Sequence, residues 1–134
     1  MKNLFRNIAL AALSLLVLVS CKKQESENLD PASIFNLSSK WETPDGTKIH
    51  LEDLKGKVLT MVMIYTSCKT ACPKLTADMK VIEAKVGHQN PEDLRYVLIS
   101  IEQKNDTPEK MREFIKNYHL EGKQWLFIRS DEDN

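Results

Sequence analysis

Two cysteines, Cys68 and Cys72, stand with three residues between them in the segment Tyr65-Thr-Ser-Cys-Lys-Thr-Ala-Cys-Pro73. That spacing lets the sulfurs approach each other for a disulfide, or approach a small soft cation from opposite sides. Two thiolates select copper(I) among biological metals. Zinc takes four ligands in structural sites, and the chain holds no second cysteine pair. A structural disulfide is the plainer alternative, but closing a loop of about five residues adds only about 2 kcal/mol on the chain-entropy account. A pair between a strand and a helix, beside a proline, points instead to redox or metal chemistry. Pro73 suits the first position of a helix, which makes Cys72 the expected N-cap. There a thiol faces free main-chain amides and the positive end of the helix dipole, with Lys69 and Lys74 nearby, so its pKa is expected to fall.

The other soft or titratable side chains read as ordinary structure. His50 follows a hairpin turn, His88 lies after the first helix and His119 near the end of the second; none has a context that aims it at the cysteine loop. Met61 and Met63 fall within an apolar strand and Met79 on an apolar helical stripe, so all three are read as core. No glycine loop to cradle phosphate, no Ser-His-Asp arrangement and no His-Glu-x-x-His pattern is present.

The elements that must position the pair follow from periodicity. Pro44-Asp45-Gly46 separates two short strand-like runs between Trp41 and Leu51, which predicts a β-hairpin. Val58 to Tyr65 is a nearly continuous apolar run, the pattern of a central parallel strand covered on both faces. Pro73 to Val86 places Leu75, Met79, Ile82 and Val86 at helical spacing. Leu94 to Ile101 repeats the buried-strand pattern. Asp106-Thr107-Pro108 caps a second helix with Met111, Phe114, Ile115 and Tyr118 on one side, and Trp125 to Ile128 forms a third strand. Alternating strands and helices imply right-handed crossovers and an α/β, thioredoxin-like fold: a mostly parallel central sheet flanked by helices, with an N-terminal hairpin. The chain stops at Asn134 in what reads as a helix entry. We therefore expect the fold to be incomplete at its C-terminus, leaving the last strand an open edge and one face of the sheet only partly covered.

The first twenty residues differ in kind. Lys2 and Arg6 precede an apolar run from Ile8 to Val19, too short for a comfortable membrane span, which ends in Leu18-Val19-Ser20-Cys21. This resembles a lipobox, so residues 1–20 are expected to be a lipoprotein signal peptide and Cys21 the lipidated residue. Residues 21–33 read as a flexible tether, and 34–134 as the domain. Export follows, with the chain lipid-anchored to the cell envelope membrane; removal of Lys2 and Arg6 leaves it slightly acidic, so attachment rests on lipid. Nineteen basic residues balance nineteen acidic ones without a basic stripe, which argues against nucleic acid as a partner.

From about Phe35 to Ile128 the chain resembles the Sco, or SenC, family of copper chaperones. The resemblance is carried by Lys55-Gly-Lys57, by Tyr65-Thr-x-Cys68-x-x-x-Cys72-Pro73, and by Ser100-Ile-Glu-Gln-Lys-Asn-Asp106-Thr107-Pro108. It implies a modified thioredoxin fold that binds copper through two cysteines, here Cys68 and Cys72, and a distant histidine, for delivery to a cuproenzyme such as cytochrome c oxidase. It leaves open whether copper(II) is bound as well as copper(I). Lys69 stands where family members commonly have proline, and Glu102-Gln103 where they have an Asp-Pro pair. The family's ligand histidine lies beyond the second helix, in a part this chain lacks.

The leading expectation is a membrane-tethered copper chaperone, a binding protein and not a catalyst. The alternative is a thiol-disulfide oxidoreductase acting on an exported protein; against it, such enzymes use two intervening residues. A peroxidase is a weaker reading, and an inactive truncated product a further one, expected to be marginally stable and to bind copper weakly.

Overall fold

The computed structural model describes residues 30–87 and 93–130. Residues 1–20, Cys21, most of the expected tether, and His88 lie outside the described residues. No helix among the described residues is long and apolar enough to cross a membrane.

Five strands form one mixed sheet in the order β2-β1-β5-β4-β3. Strands β1 (Lys40–Glu42) and β2 (Lys48–His50) make the expected antiparallel hairpin. Its turn is built as the sequence suggests. Gly46 takes φ +85°, which an L-residue adopts only with strain, and Asp45 accepts from the hydroxyls of Thr43 and Thr47. Strands β3 (Val58–Ile64), β4 (Leu94–Ser100) and β5 (Trp125–Ser130) run parallel. Helix α1 (Ala71–Val86) joins β3 to β4, and α2 (Pro108–Asn117) joins β4 to β5.

Because β3, β4 and β5 succeed one another in a single direction across the sheet, right-handed crossovers put both helices on one face. The packing agrees. Cys72 of α1 and Met111 and Phe114 of α2 share a cluster with Ile64, Leu98 and Phe127. Val97, Ile99 and Ile128 point to the opposite face, which the 3-10 turn Leu51–Leu54 covers with Leu51 and Leu54. Alternation along β4 thus feeds two cores, which is why its sequence reads as an unbroken apolar run. The charges at the sheet's other junction are paired. Arg129 of β5 lies opposite Glu42 of β1 in register and donates to its carboxylate at 3.1 Å.

Four expectations are corrected here. β3 is an edge strand, hydrogen-bonded among the described residues only to β4, and the central position belongs to β5 and β4. The far side of the last strand is paired at its end, where Trp41 and Glu42 of the hairpin lie opposite Ser130 and Arg129. Met63, read as core, is 65% exposed at the outer end of β3.

The fourth correction concerns α1. Leu75, Ile82 and Val86 are exposed, and the buried residues are Cys72, Thr76 and Met79. The inward face is rotated from the apolar stripe by roughly 60°, taking 3.6 residues per turn. Polar residues occupy it because each finds a partner. Thr76 donates to the Cys72 carbonyl at 2.8 Å, and Glu83 accepts from the Trp125 indole at 2.7 Å and from Gln124 at 2.9 Å.

At α2 the expected cap is present, with the Thr107 hydroxyl accepting from the Lys110 main-chain N–H at 3.4 Å. Replacing Thr107 with alanine is expected to lower stability by about 1 kcal/mol, read as a shift in the urea midpoint with an unchanged slope.

Candidate metal and redox site

β3 ends at Ile64, and its last rung to β4 is the Ile101 main-chain N–H donating to the Ile64 carbonyl at 3.0 Å. The chain then turns, with the Cys68 N–H donating to the Tyr65 carbonyl at 3.2 Å, and enters α1 at Ala71. Thr70 holds the N-cap position without a side-chain capping bond. The missing acceptor is supplied by sulfur, since Cys68 Sγ accepts the Cys72 main-chain N–H at 3.3 Å.

This arrangement reverses the expected roles of the two cysteines. Cys72 is the second residue of the helix, 3% exposed, and not its N-cap; Pro73 is third and not first. The Cys68 thiol is lowered from its ordinary 9.0 to about 6. The main-chain N–H of Cys72 is the largest cause, followed by the Cys72 side chain and the main chain at Thr70, with the Tyr65 hydroxyl adding to them. Burial pushes the Cys72 thiol the other way, and the neighbouring Cys68 and Asp106 add to the rise. The site thus pairs a readily ionised sulfur with a buried protonated one. Both are free thiols in the structure.

A carboxylate that the sequence reading assigned only to a helix cap lies directly beneath the loop. Asp106 is fully buried. Its Oδ1 accepts from the Thr66 main-chain N–H at 2.9 Å and the Thr66 hydroxyl at 2.5 Å, and its Oδ2 accepts from the Ser100 hydroxyl at 2.6 Å. Glu102, where the family pattern has aspartate, still places a carboxylate here, accepting from the Ser67 hydroxyl at 3.2 Å and from Asn105 at 2.7 Å. One sequence signal pointed to Asp106: Thr107 already satisfies the cap, so an acidic residue just before it needed another explanation.

Beside Cys68 a cleft of about 490 Å³ opens between the loop and α2. Cys68, Lys69 and Pro73 form one wall, and Lys110, Phe114 and Tyr118 the other. A partner's ligand or disulfide reaching Cys68 would enter here. His50 lines a different cleft with Phe35 and Lys55, and His119 lies just past α2 with its carbonyl accepting from Lys80. Among the described residues no group of three Cys, His, Asp or Glu side chains is placed to hold a metal ion. The structure therefore brings together Cys68 and Cys72 and leaves His50, His119 and Met63 out of that site.

A family model described as SCO1/SenC matches residues 27–124. The SCO1 protein homolog of Bacillus subtilis (strain 168) is 33% identical over 118 residues, which cover 88% of this chain and 60% of that protein. Among solved structures, BsSco superposes with a TM-score of 0.63 at 32% identity, over 77% of this chain and 60% of that one. BsSco is described as a member of the Sco family of cytochrome c oxidase assembly proteins and as carrying a disulfide switch. A SCO1/SenC family lipoprotein from Bacillus anthracis str. Ames superposes with a TM-score of 0.59 at 25% identity, over 74% of this chain and 59% of that one. The chain spans about three fifths of the length of these relatives. With residues 27–124 matched by the family model and a relative 33% identical over 88% of its length, this chain belongs to the SCO1/SenC family.

Proposed function

We propose that the chain is a copper chaperone of the cell envelope, tethered by lipid at Cys21, which holds copper(I) as cargo between Cys68 and Cys72 and passes it to a cuproenzyme such as cytochrome c oxidase. The observation that carries this reading is the cysteine loop itself. It presents one soft sulfur, Cys68, ionised near neutral pH, at an open cleft, with the sulfur of the buried Cys72 four residues on beside it. A thiolate available without a prior deprotonation step is ready for ligand exchange with an incoming partner. The description of BsSco as a member of the Sco family of cytochrome c oxidase assembly proteins supports the client, and the lipoprotein nature of the B. anthracis relative supports the anchor. On this reading residues 21–33 are the tether and the domain begins at residue 34.

The test is a titration of the reduced protein with copper(I) in the absence of oxygen, in competition with a chelator of known affinity. One tight equivalent is expected, absent from the Cys68→Ser, Cys72→Ser double variant. Equal binding by that variant overturns the proposal.

The split between the two thiols favours a second reading, thiol-disulfide exchange. The Cys68 thiolate would attack a partner's disulfide, forming a mixed disulfide and releasing one partner thiolate. Cys72, on losing its proton, would then attack the Cys68 sulfur, forming the Cys68–Cys72 disulfide and releasing the second partner thiolate. A Cys72→Ser variant is expected to trap the mixed disulfide if this chemistry operates, and to trap nothing if the pair serves copper alone.

A further inference from the structure

The last ladder bond between β3 and β4 leaves the cysteine loop without a sheet partner from Tyr65 onward. Beyond that rung the N–H and hydroxyl of Thr66 are both taken by one oxygen of Asp106, forty residues away in sequence. The other oxygen holds Ser100, the final residue of β4. The carboxylate is fully buried, yet the α2 cap is provided by Thr107. A buried carboxylate is costly to desolvate and persists where its hydrogen bonds are satisfied. These bonds reach back to the loop.

We propose that Asp106 is the positioning residue of the cysteine pair: by accepting both the N–H and the hydroxyl of Thr66, it holds the loop in the shape in which Cys68 Sγ receives the Cys72 N–H. Asp106 touches neither sulfur through a hydrogen bond. It acts through Thr66, two residues before Cys68, and so belongs to the supporting shell that orients metal ligands. This deepens the copper-binding reading above and rests on it for the role of copper.

The variants separate positioning from mere stability. Thr66→Val deletes one donor to the clamp on the loop side, Thr66→Ser retains it, and Ser100→Ala deletes the donor on the sheet side. Asp106→Ala removes the clamp and is expected to weaken copper(I) binding by at least about tenfold, the range found for residues that support metal ligands. Thr66→Val is expected to weaken it in the same direction, Thr66→Ser to restore it, and Ser100→Ala to lower the melting temperature with less than about a twofold change in affinity. If Thr66→Val and Ser100→Ala lower affinity equally, in proportion to their loss of stability, the proposal is overturned. The Thr66 and Ser100 variants keep that comparison available should Asp106→Ala fail to fold.

A second readout needs no copper. Two glutathione thiols reduce the Cys68–Cys72 disulfide to the dithiol and release one glutathione disulfide, and this equilibrium constant depends on how the sulfurs are held. It is expected to shift about tenfold, or about 30 mV, in Asp106→Ala and in the same order across the other variants. If the parent protein binds no copper through its cysteines, the functional reading fails while this equilibrium still decides the clamp. An unchanged equilibrium in Asp106→Ala and Thr66→Val overturns the clamp alone.

Discussion

Iodoacetamide added to the reduced protein at pH 7 is expected to modify Cys68 at least about tenfold faster than Cys72. With a pKa of about 6, Cys68 is mostly thiolate at that pH, whereas Cys72, held above its ordinary 9.0, is almost entirely thiol. The difference in ionised fraction is roughly a hundredfold. Intrinsic nucleophilicity falls with pKa and takes back about twentyfold of it. Burial of Cys72 at 3% exposure then tips the balance further toward Cys68. Mass mapping of the alkylated peptide against time reads the ratio directly. Equal rates, or Cys72 reacting first, would return the helix-cap role to Cys72 and contradict the structure.

The same asymmetry carries a sign for stability. The folded pKa of Cys68 lies below its unfolded value, so its thiolate contributes stability that is fully present above about 9 and is lost as pH falls through about 6. Cys72 has its folded value raised, so it contributes stability below 9.0 and loses it as pH rises further. The thiol contribution is therefore expected to grow from pH 6 to 9 and then turn over. Denaturant unfolding of the reduced protein against pH checks it, as the difference from the double serine variant at each pH.

Phe114→Ala is the substitution expected to cost most in stability, about 3–5 kcal/mol out of the 5–15 typical of a domain. Phe114 is 5% exposed, lies edge-on to Phe127 with ring centroids 5.6 Å apart, and stacks on Tyr118 at 4.3 Å. It belongs to the same cluster as Ile64 and Cys72, so the cavity would open beneath the site. A fall in melting temperature of more than about 15 °C is expected, or no cooperative transition at all. Phe114→Leu fills most of the space and is expected to cost about 1–2 kcal/mol, which keeps the measurement possible. A loss below about 1 kcal/mol for the alanine variant would mean that α2 does not pack where it is placed.

Much of the chain was legible because it depends on local patterns. The hairpin at Pro44-Asp45-Gly46, the β4 run and the Thr107 cap each follow from a few neighbouring residues, and each is present. Helix α1 was also legible in extent, but its inward face was not. Hydropathy ranks Thr76 and Glu83 as surface, while a bond to the Cys72 carbonyl lets Thr76 be buried and the Trp125 indole holds Glu83 half-buried. The Gln124 and Trp125 side chains that bond to Glu83 lie more than forty residues away and are set by packing.

The cysteine loop divides in the same manner. Residue types and spacing alone single out Cys68 and Cys72 as the candidate pair, since two soft sulfurs between a strand and a proline-bearing helix start suit redox or metal chemistry. Which sulfur ionises depends on where the helix begins. Proline is tolerated anywhere in the first turn, because those N–H groups have no partner within the helix, so Pro73 could not tell its first position from its third. The tertiary structure decided it by starting α1 at Ala71, which buries Cys72 and turns the Cys68 sulfur onto the helix end. Strand order is of the same kind: the apolar runs of β3, β4 and β5 look alike, and only the crossovers and the docking of the hairpin decide which strand lies at the edge. The carboxylate of Asp106 beneath the loop is likewise a product of the fold, since it joins Thr66 and Ser100 across distances that no local pattern spans.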